Sequence, residues 1–299
     1  MSKLLQGIYA PIPTPFDDKG DIAWGHLEKN MEFWCKSSLG GLVVMGSNGE
    51  MVALSESERK ELITKACQSA KGKKPISAGC GCESTRETIA MCEHAAKAGA
   101  QTALVINPNY YKALTKDDML RRFYLDVADA SPIPVVVYNF PGNTGVNLSS
   151  SLVTSINSHP NICGVKDSGA NIVQITEILR DAPDSFSVFA GSTSFLYATL
   201  ALGGKGGTLA LANVMPEECV RIQTFVNENK HAEAAKLQKQ LIAINAAVTA
   251  RFGIPGLKAA MEMIGLYGGA ARKPLMPLPE EDRKTIQTIL TKAQEDTRA

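Results

Sequence analysis

The sequence predicts an α/β fold, a (β/α)8 TIM barrel with a C-terminal helical extension. Eight short apolar runs recur along the chain, each followed by a helix signal. The runs are continuous in hydrophobicity rather than alternating, as parallel strands buried on both faces are. The runner-up is an open doubly wound sheet. Against it stand the count of eight units and the lack of a Gly-x-Gly-x-x-Gly turn after the first run. Residues 1–215 form the expected barrel and residues 216–299 the extension, packed beside the barrel or against another subunit.

Taken in order, the expected strands are residues 7–13, 41–45, 75–78, 103–106, 134–137, 162–166, 187–190 and 207–211. Leu27, Met31 and Trp34 share one face of a first helix over residues 23–36. Ser55-Glu56-Ser57-Glu58 and Ser84-Thr85-Arg86-Glu87 read as capping boxes that open the next two helices. Thr115-Lys116-Asp117-Asp118 reads as a cap for the fourth. Further helices are expected at residues 148–158, 171–179 and 195–202, and in the tail at 217–229, 232–250, 256–264 and 280–294. Gly203-Gly204-Lys205-Gly206-Gly207 precedes a strand rather than a helix, which makes it a tight turn and not a phosphate loop.

Composition bounds the function. The chain has 299 residues, 44% hydrophobic and 20% charged, with a net charge of +1. Near-neutral charge offers no basis for nucleic acid or a membrane surface as partner. No apolar run approaches the roughly 20 residues of a membrane span, and residues 1–7 show no signal-peptide pattern. Seven cysteines, Cys35, Cys67, Cys80, Cys82, Cys92, Cys163 and Cys219, are an odd number spread through apolar segments. They indicate reduced thiols and a cytoplasmic protein. Cys80, Cys82, Cys92 and His94 do not have the spacing of a metal site, so no metal is expected.

In such a barrel the chemistry lies at the C-terminal ends of the strands. Lys166 ends the sixth run and Tyr138 the fifth. An amine and a phenol at the same end of neighbouring strands can form a Schiff base and move protons beside it. Lys166 must be neutral to attack, which burial in the mouth favours. The blander alternative is a core-edge lysine whose stem packs while its head reaches solvent. The second strand presents Gly46-Ser47-Asn48-Gly49-Glu50, a turn suited to a carboxylate, with Glu50 bonding loop backbone. The fourth presents Asn107-Pro108-Asn109-Tyr110-Tyr111, whose tyrosines on a rim expose apolar area that a monomer rarely leaves open. His26, His94, His159 and His231 fall in helices or helix ends, away from the mouth.

Gly46-Ser47-Asn48-Gly49-Glu50, Tyr138-Asn139-Phe140-Pro141 and Gly164-Val165-Lys166-Asp167 resemble the signature of the N-acetylneuraminate lyase and dihydrodipicolinate synthase superfamily of pyruvate-dependent class I aldolases. Gly81-Cys82-Glu83-Ser84-Thr85, Lys166-Asp167-Ser168-Gly169, Ala190-Gly191-Ser192, Ala210-Leu211-Ala212-Asn213-Val214 and residues 245–258 are similar to its 4-hydroxy-2-oxoglutarate aldolase branch. The resemblance spans nearly the whole chain. It implies that Lys166 forms the Schiff base with a 2-oxo acid, that Tyr138 shuttles protons, and that Ser47 and Asn48 hold the substrate carboxylate or relay a proton. It implies that Ser168, Gly191 and Asn213 line the pocket, and that Tyr110 reaches a neighbouring subunit's site in a homotetramer, a dimer of dimers. No cofactor is implied.

One position departs from the synthase pattern. Asn143 stands where the synthases usually carry an arginine that holds the aldehyde's carboxylate, and Ser47-Asn48 replaces their commoner Thr-Thr. The expected reaction is therefore cleavage of a 4-hydroxy-2-oxo acid, 4-hydroxy-2-oxoglutarate first, to pyruvate and an aldehyde. The alternatives are a 2-keto-3-deoxy sugar-acid aldolase or dehydratase, and dihydrodipicolinate synthase acting on aspartate semialdehyde. A non-catalytic, ligand-sensing barrel is opposed by the intact Lys166 and Tyr138.

Overall fold

A computed structural model describes residues 5–298. Strands β1 (Gly7–Pro11), β2 (Gly41–Val44), β3 (Ile76–Gly79), β4 (Thr102–Ile106), β5 (Val135–Asn139), β6 (Ile162–Asp167), β7 (Ser187–Ala190) and β8 (Gly206–Thr208) close into a parallel barrel. The closure is β1 against β8, with Ile8 beside Gly207. The pleat sorts the strand residues between two cores. Tyr9, Val43, Leu104, Val136, Tyr138 and Phe189 fill the barrel interior. Val135, Val137, Ile162, Val165 and Val188 face outward and pack against the helices.

Most expected elements are present within a residue or two, and several details differ. Ser55 and Glu58 form the full reciprocal capping box, and Ser84 accepts from the Glu87 N–H at 3.2 Å. Thr115 does not cap its helix. Its hydroxyl donates back to the Tyr111 carbonyl (3.0 Å), because the residue closes the short turn Lys112–Leu114. Strand β8 ends at Thr208 rather than at Leu211, since Asn213 Nδ2 donates to the carbonyls of Pro11 and Ala210 at 3.0 Å each and draws Ala210–Asn213 into a turn. The helix expected over residues 148–158 is Ser150–Ile156, and a short helix Pro141–Thr144 precedes it. The glycine run before β8 is a tight turn, with Gly203 at φ 104° and Gly204 N–H bonded to the Thr199 carbonyl.

The C-terminal segment comprises helices Pro216–Asn227, His231–Ala246, Gly253–Met263 and Glu280–Arg298, with a π-turn at Ala247–Arg251. It packs on the barrel through directed bonds. Asn30 Nδ2 donates to the Tyr267 carbonyl (2.7 Å), and Asn30 Oδ1 accepts the Tyr267 N–H (3.0 Å). Residues 248–257 of this segment lean over the C-terminal mouth of the barrel and supply one wall of its cavity.

Candidate active site

Lys166 faces the barrel interior because β6 is bulged. Val135 pairs with Ile162, but the next residue, Val136, pairs with Gly164, so Cys163 is an extra residue in the ladder. Ile162 faces the outer core; regular alternation from it would send residue 166 outward as well. The bulge shifts the pleat by one residue and turns Lys166 inward. Gly164 permits this: a Cβ there would lie 2.4 Å from the Ser187 carbonyl oxygen.

Below the bulge, Tyr138 and Lys166 are direct register partners, as are Asn139 and Asp167. Lys166 is 4% exposed, with Nζ 3.9 Å from the centroid of the Tyr138 ring, a cation–π distance. Phe140 stacks against the same ring at 5.8 Å between centroids. The Tyr138 hydroxyl lies 3.2 Å from Ser47 Oγ, so phenol and alcohol share a hydrogen bond. Burial pushes the Tyr9 phenol and the Cys163 thiol each up to about 12.

Behind the amine, a buried polar network fixes the ends of β5 and β6. Asp167 Oδ2 accepts from Asn139 Nδ2 (2.7 Å) and Gln174 Nε2 (3.1 Å), and Oδ1 accepts the Gly169 N–H (2.8 Å). Asn139 Oδ1 accepts the Leu148 N–H (3.0 Å). Both Asn139 and Asp167 are fully buried, where satisfied polar groups make geometry rigid.

A cavity of about 710 Å³ opens above Lys166, lined by Ser47, Asn48, Tyr138, Asn143, Ser168, Gly191 and Ser192, with Thr249, Phe252 and Leu275 from the C-terminal segment. Ser47 and Asn48 sit on the turn Ser47–Gly49, between two non-glycine residues in left-handed conformation, Met45 at φ 62° and Glu50 at φ 56°. Such strain gathers at functional sites. Asn48 Nδ2 is buried with no partner. An orphaned donor beside the cavity is a ready contact for an acceptor such as a carboxylate. Gly191 is required where it stands, since a Cβ would lie 2.0 Å from Ser168 Oγ.

Six of the expected site residues therefore converge on the cavity: Lys166, Tyr138, Ser47, Asn48, Ser168 and Gly191. Asn213 does not. It is fully buried, its Nδ2 donating to the Pro11 and Ala210 carbonyls and its Oδ1 without a partner, and it does not line the cavity, so the expectation that it lines the pocket is corrected. Tyr110 also lies outside its own chain's cavity, 77% exposed and set edge-to-face on Tyr111. Its loop is anchored by Glu83, whose Oε2 accepts the N–H groups of Asn109 and Tyr110 at 3.0 Å each. Glu50 does bond backbone, accepting the Arg272 N–H at 2.7 Å, but it also pairs with Lys258, which the sequence reading did not single out. A lysine inside the apolar run Gly253–Met263 was the available signal, the same one that marks Lys166. The wall residues of the C-terminal segment were likewise missed, whereas Ser192, at the mouth end of the seventh run, does line the cavity. His94 is held by the Lys60 carbonyl and Thr64 Oγ1. Among the described residues no group of three or more His, Cys, Asp or Glu side chains is placed to hold a metal ion. No described helix is long and apolar enough to cross a membrane.

A parallel barrel with a buried amine and a phenol at its mouth defines a pyruvate-dependent lyase of class I aldolase type. The chain belongs to the dihydrodipicolinate synthetase family, whose model matches residues 4–293. It is 37% identical to a protein of Emericella nidulans named "Probable 4-hydroxy-2-oxoglutarate aldolase, mitochondrial", over 97% of this chain and 95% of that one. It is 33% identical to an L-threo-3-deoxy-hexylosonate aldolase of Aspergillus niger, over 98% and 96%. Among solved structures it is similar to a prophage protein of the dihydrodipicolinic acid synthase family from E. coli K12 in complex with pyruvate, at a TM-score of 0.91 and 29% identity, covering 97% and 99%.

Proposed function

We propose that this chain cleaves a 4-hydroxy-2-oxo acid to pyruvate and an aldehyde, with 4-hydroxy-2-oxoglutarate, which would release glyoxylate, as the first candidate. The observation that carries the reading is the Lys166 amine against Tyr138, whose hydroxyl is bonded to Ser47 at the base of the cavity. The amine adds to the C2 carbonyl, and loss of water leaves a protonated imine. Tyr138, having passed its own proton through Ser47 to the departing hydroxyl, takes the proton of the C4 hydroxyl. The C3–C4 bond breaks, its electron pair moves to the imine nitrogen, and glyoxylate leaves. The resulting enamine takes that proton from Tyr138 at C3, and water returns the amine and frees pyruvate. Asn48 Nδ2 and the Ser47 turn hold the C1 carboxylate.

Asn143 at the mouth weighs against condensation with aspartate semialdehyde, whose carboxylate a neutral amide holds poorly; the distal carboxylate of 4-hydroxy-2-oxoglutarate meets the same amide, so this position supports the neutral, hydroxylated tail of a sugar acid at least as well. A 2-keto-3-deoxy sugar acid is the second reading, supported by the Asn143 amide and the Ser192 and Thr249 hydroxyls that line the cavity. The active unit in this reading is a homotetramer with Tyr110 acting in a neighbouring subunit, and the seven free thiols support a reducing compartment such as the cytoplasm.

Borohydride with pyruvate tests the chemistry. It should inactivate the enzyme and add the reduced pyruvyl mass to the peptide bearing Lys166; labelling elsewhere, or none, sinks the mechanism. Pyruvate release from 4-hydroxy-2-oxoglutarate and from 2-keto-3-deoxy sugar acids, set beside condensation with aspartate semialdehyde, tests the substrate. A kcat/KM that favours the condensation would overturn the reading of Asn143.

A further inference from the structure

An ion pair that the mechanism does not use is buried beneath the Ser47 turn. Lys258 Nζ lies 2.6 Å from Glu50 Oε1, and the two side chains are 1% and 2% exposed. The contact is off the hydrogen-bond line, so Oε1 is compensated by charge without a directed bond. The remaining partners are directed. Lys258 Nζ donates to the Ala270 carbonyl (2.8 Å), and Glu50 Oε2 accepts the Arg272 N–H (2.7 Å). Phe16 lies against the cluster, its ring centroid 4.6 Å from Lys258 Nζ and 4.3 Å from the Arg272 guanidinium. Burial pushes the Lys258 amine below its ordinary range, and Glu50 opposes that.

A buried ion pair is weak evidence for stability, because desolvation offsets the Coulomb attraction. A left-handed glutamate is a second cost. Both fall on one residue, and that residue ends the turn carrying Ser47 and Asn48. Its partner lies on Gly253–Met263, the helix that also gives Pro255 and Leu257 to the cavity wall. The gain from the pair is therefore geometric: it ties the turn to the wall.

We propose that Glu50 and Lys258 are positioning residues, which lock the Ser47–Asn48 turn to the C-terminal helices so that the Ser47–Tyr138 hydrogen bond is aligned for proton transfer. The proposal rests on the aldolase reading above. It separates the two halves of the catalytic constellation. Lys166 and Tyr138 are set by β5 and β6, whereas Ser47 and Asn48 are set by a segment more than two hundred residues further along the chain.

The test uses the full chain with Glu50→Gln, Lys258→Met and the double variant. Active sites are counted by borohydride trapping of pyruvate, and kcat per trapped site is then measured with 4-hydroxy-2-oxoglutarate. Each variant should still trap pyruvate on Lys166, while kcat per trapped site falls by roughly 10- to 100-fold, the scale of a misplaced catalytic group. The double variant should regain thermal stability lost by Lys258→Met, since no lone charge stays buried, without regaining kcat. A kcat per trapped site within twofold of wild type, or one that recovers together with stability, would overturn the proposal. If Lys258→Met does not fold, Glu50→Gln and the double variant decide it. Wild type that traps no pyruvate removes the aldolase reading, and this proposal with it.

Discussion

Gly164 and Ser187 are too close for any other residue to stand at position 164: a Cβ there would lie 2.4 Å from the Ser187 carbonyl oxygen and 3.0 Å from its Cβ. This contact between β6 and β7 sits at the bulge that aims Lys166 into the barrel. Gly164→Ala should therefore do more than destabilise. Overpacking at a strand contact costs roughly 1–3 kcal/mol, and a shift of the strand moves the amine. We expect a lower Tm together with a drop in kcat of roughly 100-fold in the folded fraction. Full activity in the folded fraction would show that the bulge does not aim the lysine.

The phenol is tested by removing one atom. Tyr138→Phe keeps the ring beneath Lys166 and its stacking on Phe140, so the fold should persist. The Ser47 contact at 3.2 Å is lost with the hydroxyl. We expect kcat to fall by roughly 10²–10⁴, the worth of a positioned acid–base group. A near wild-type kcat would reduce Tyr138 to packing.

Tyr110 points out of its own chain's site, 77% exposed beside Tyr111 and Leu114 at 71% each. Such a cluster fits a surface that meets a second copy. If Tyr110 acts across that contact, mixing the inactive variants Tyr110→Phe and Lys166→Ala should restore activity, because some mixed sites contain both intact groups. Mixed oligomers that form and stay inactive would remove the assignment.

Acid stability should reflect Glu58. The Arg272 guanidinium holds its carboxyl down at about 2, against an ordinary value of 4.5. A depressed folded value means that the pair stabilises the protein above about pH 4.5 and that this contribution disappears as pH falls toward 2. Both partners are partly solvated, which limits the effect. Glu58→Gln should lower Tm at neutral pH and bring variant and wild type together near pH 2. A Tm difference unchanged across that range would deny the pair its role.

Much of the fold was legible because it depends on local pattern. The buried strands are short apolar runs, and Ser55 with Glu58 announces its helix three residues apart. Lys166 and Tyr138 were legible as polar residues ending such runs. Thr115 and Asn213 misled for one reason: each has a side chain able to cap or to bind, and the partner it takes is decided by where the backbone turns, at the Tyr111 carbonyl and the Pro11 carbonyl.

By itself, then, the sequence determined the barrel, the placement of Lys166 and Tyr138 at strand ends, and a polar turn at Ser47-Asn48, because hydrophobic period and turn chemistry are short-range properties. Only the tertiary structure decided which way Lys166 faces, since one bulged residue at Cys163 reverses the pleat. Only it joined Glu50 to Lys258 and brought Thr249 and Phe252 over the cavity. Those contacts link positions about two hundred residues apart, and no local pattern encodes which buried charge will find which partner once the chain has closed on itself.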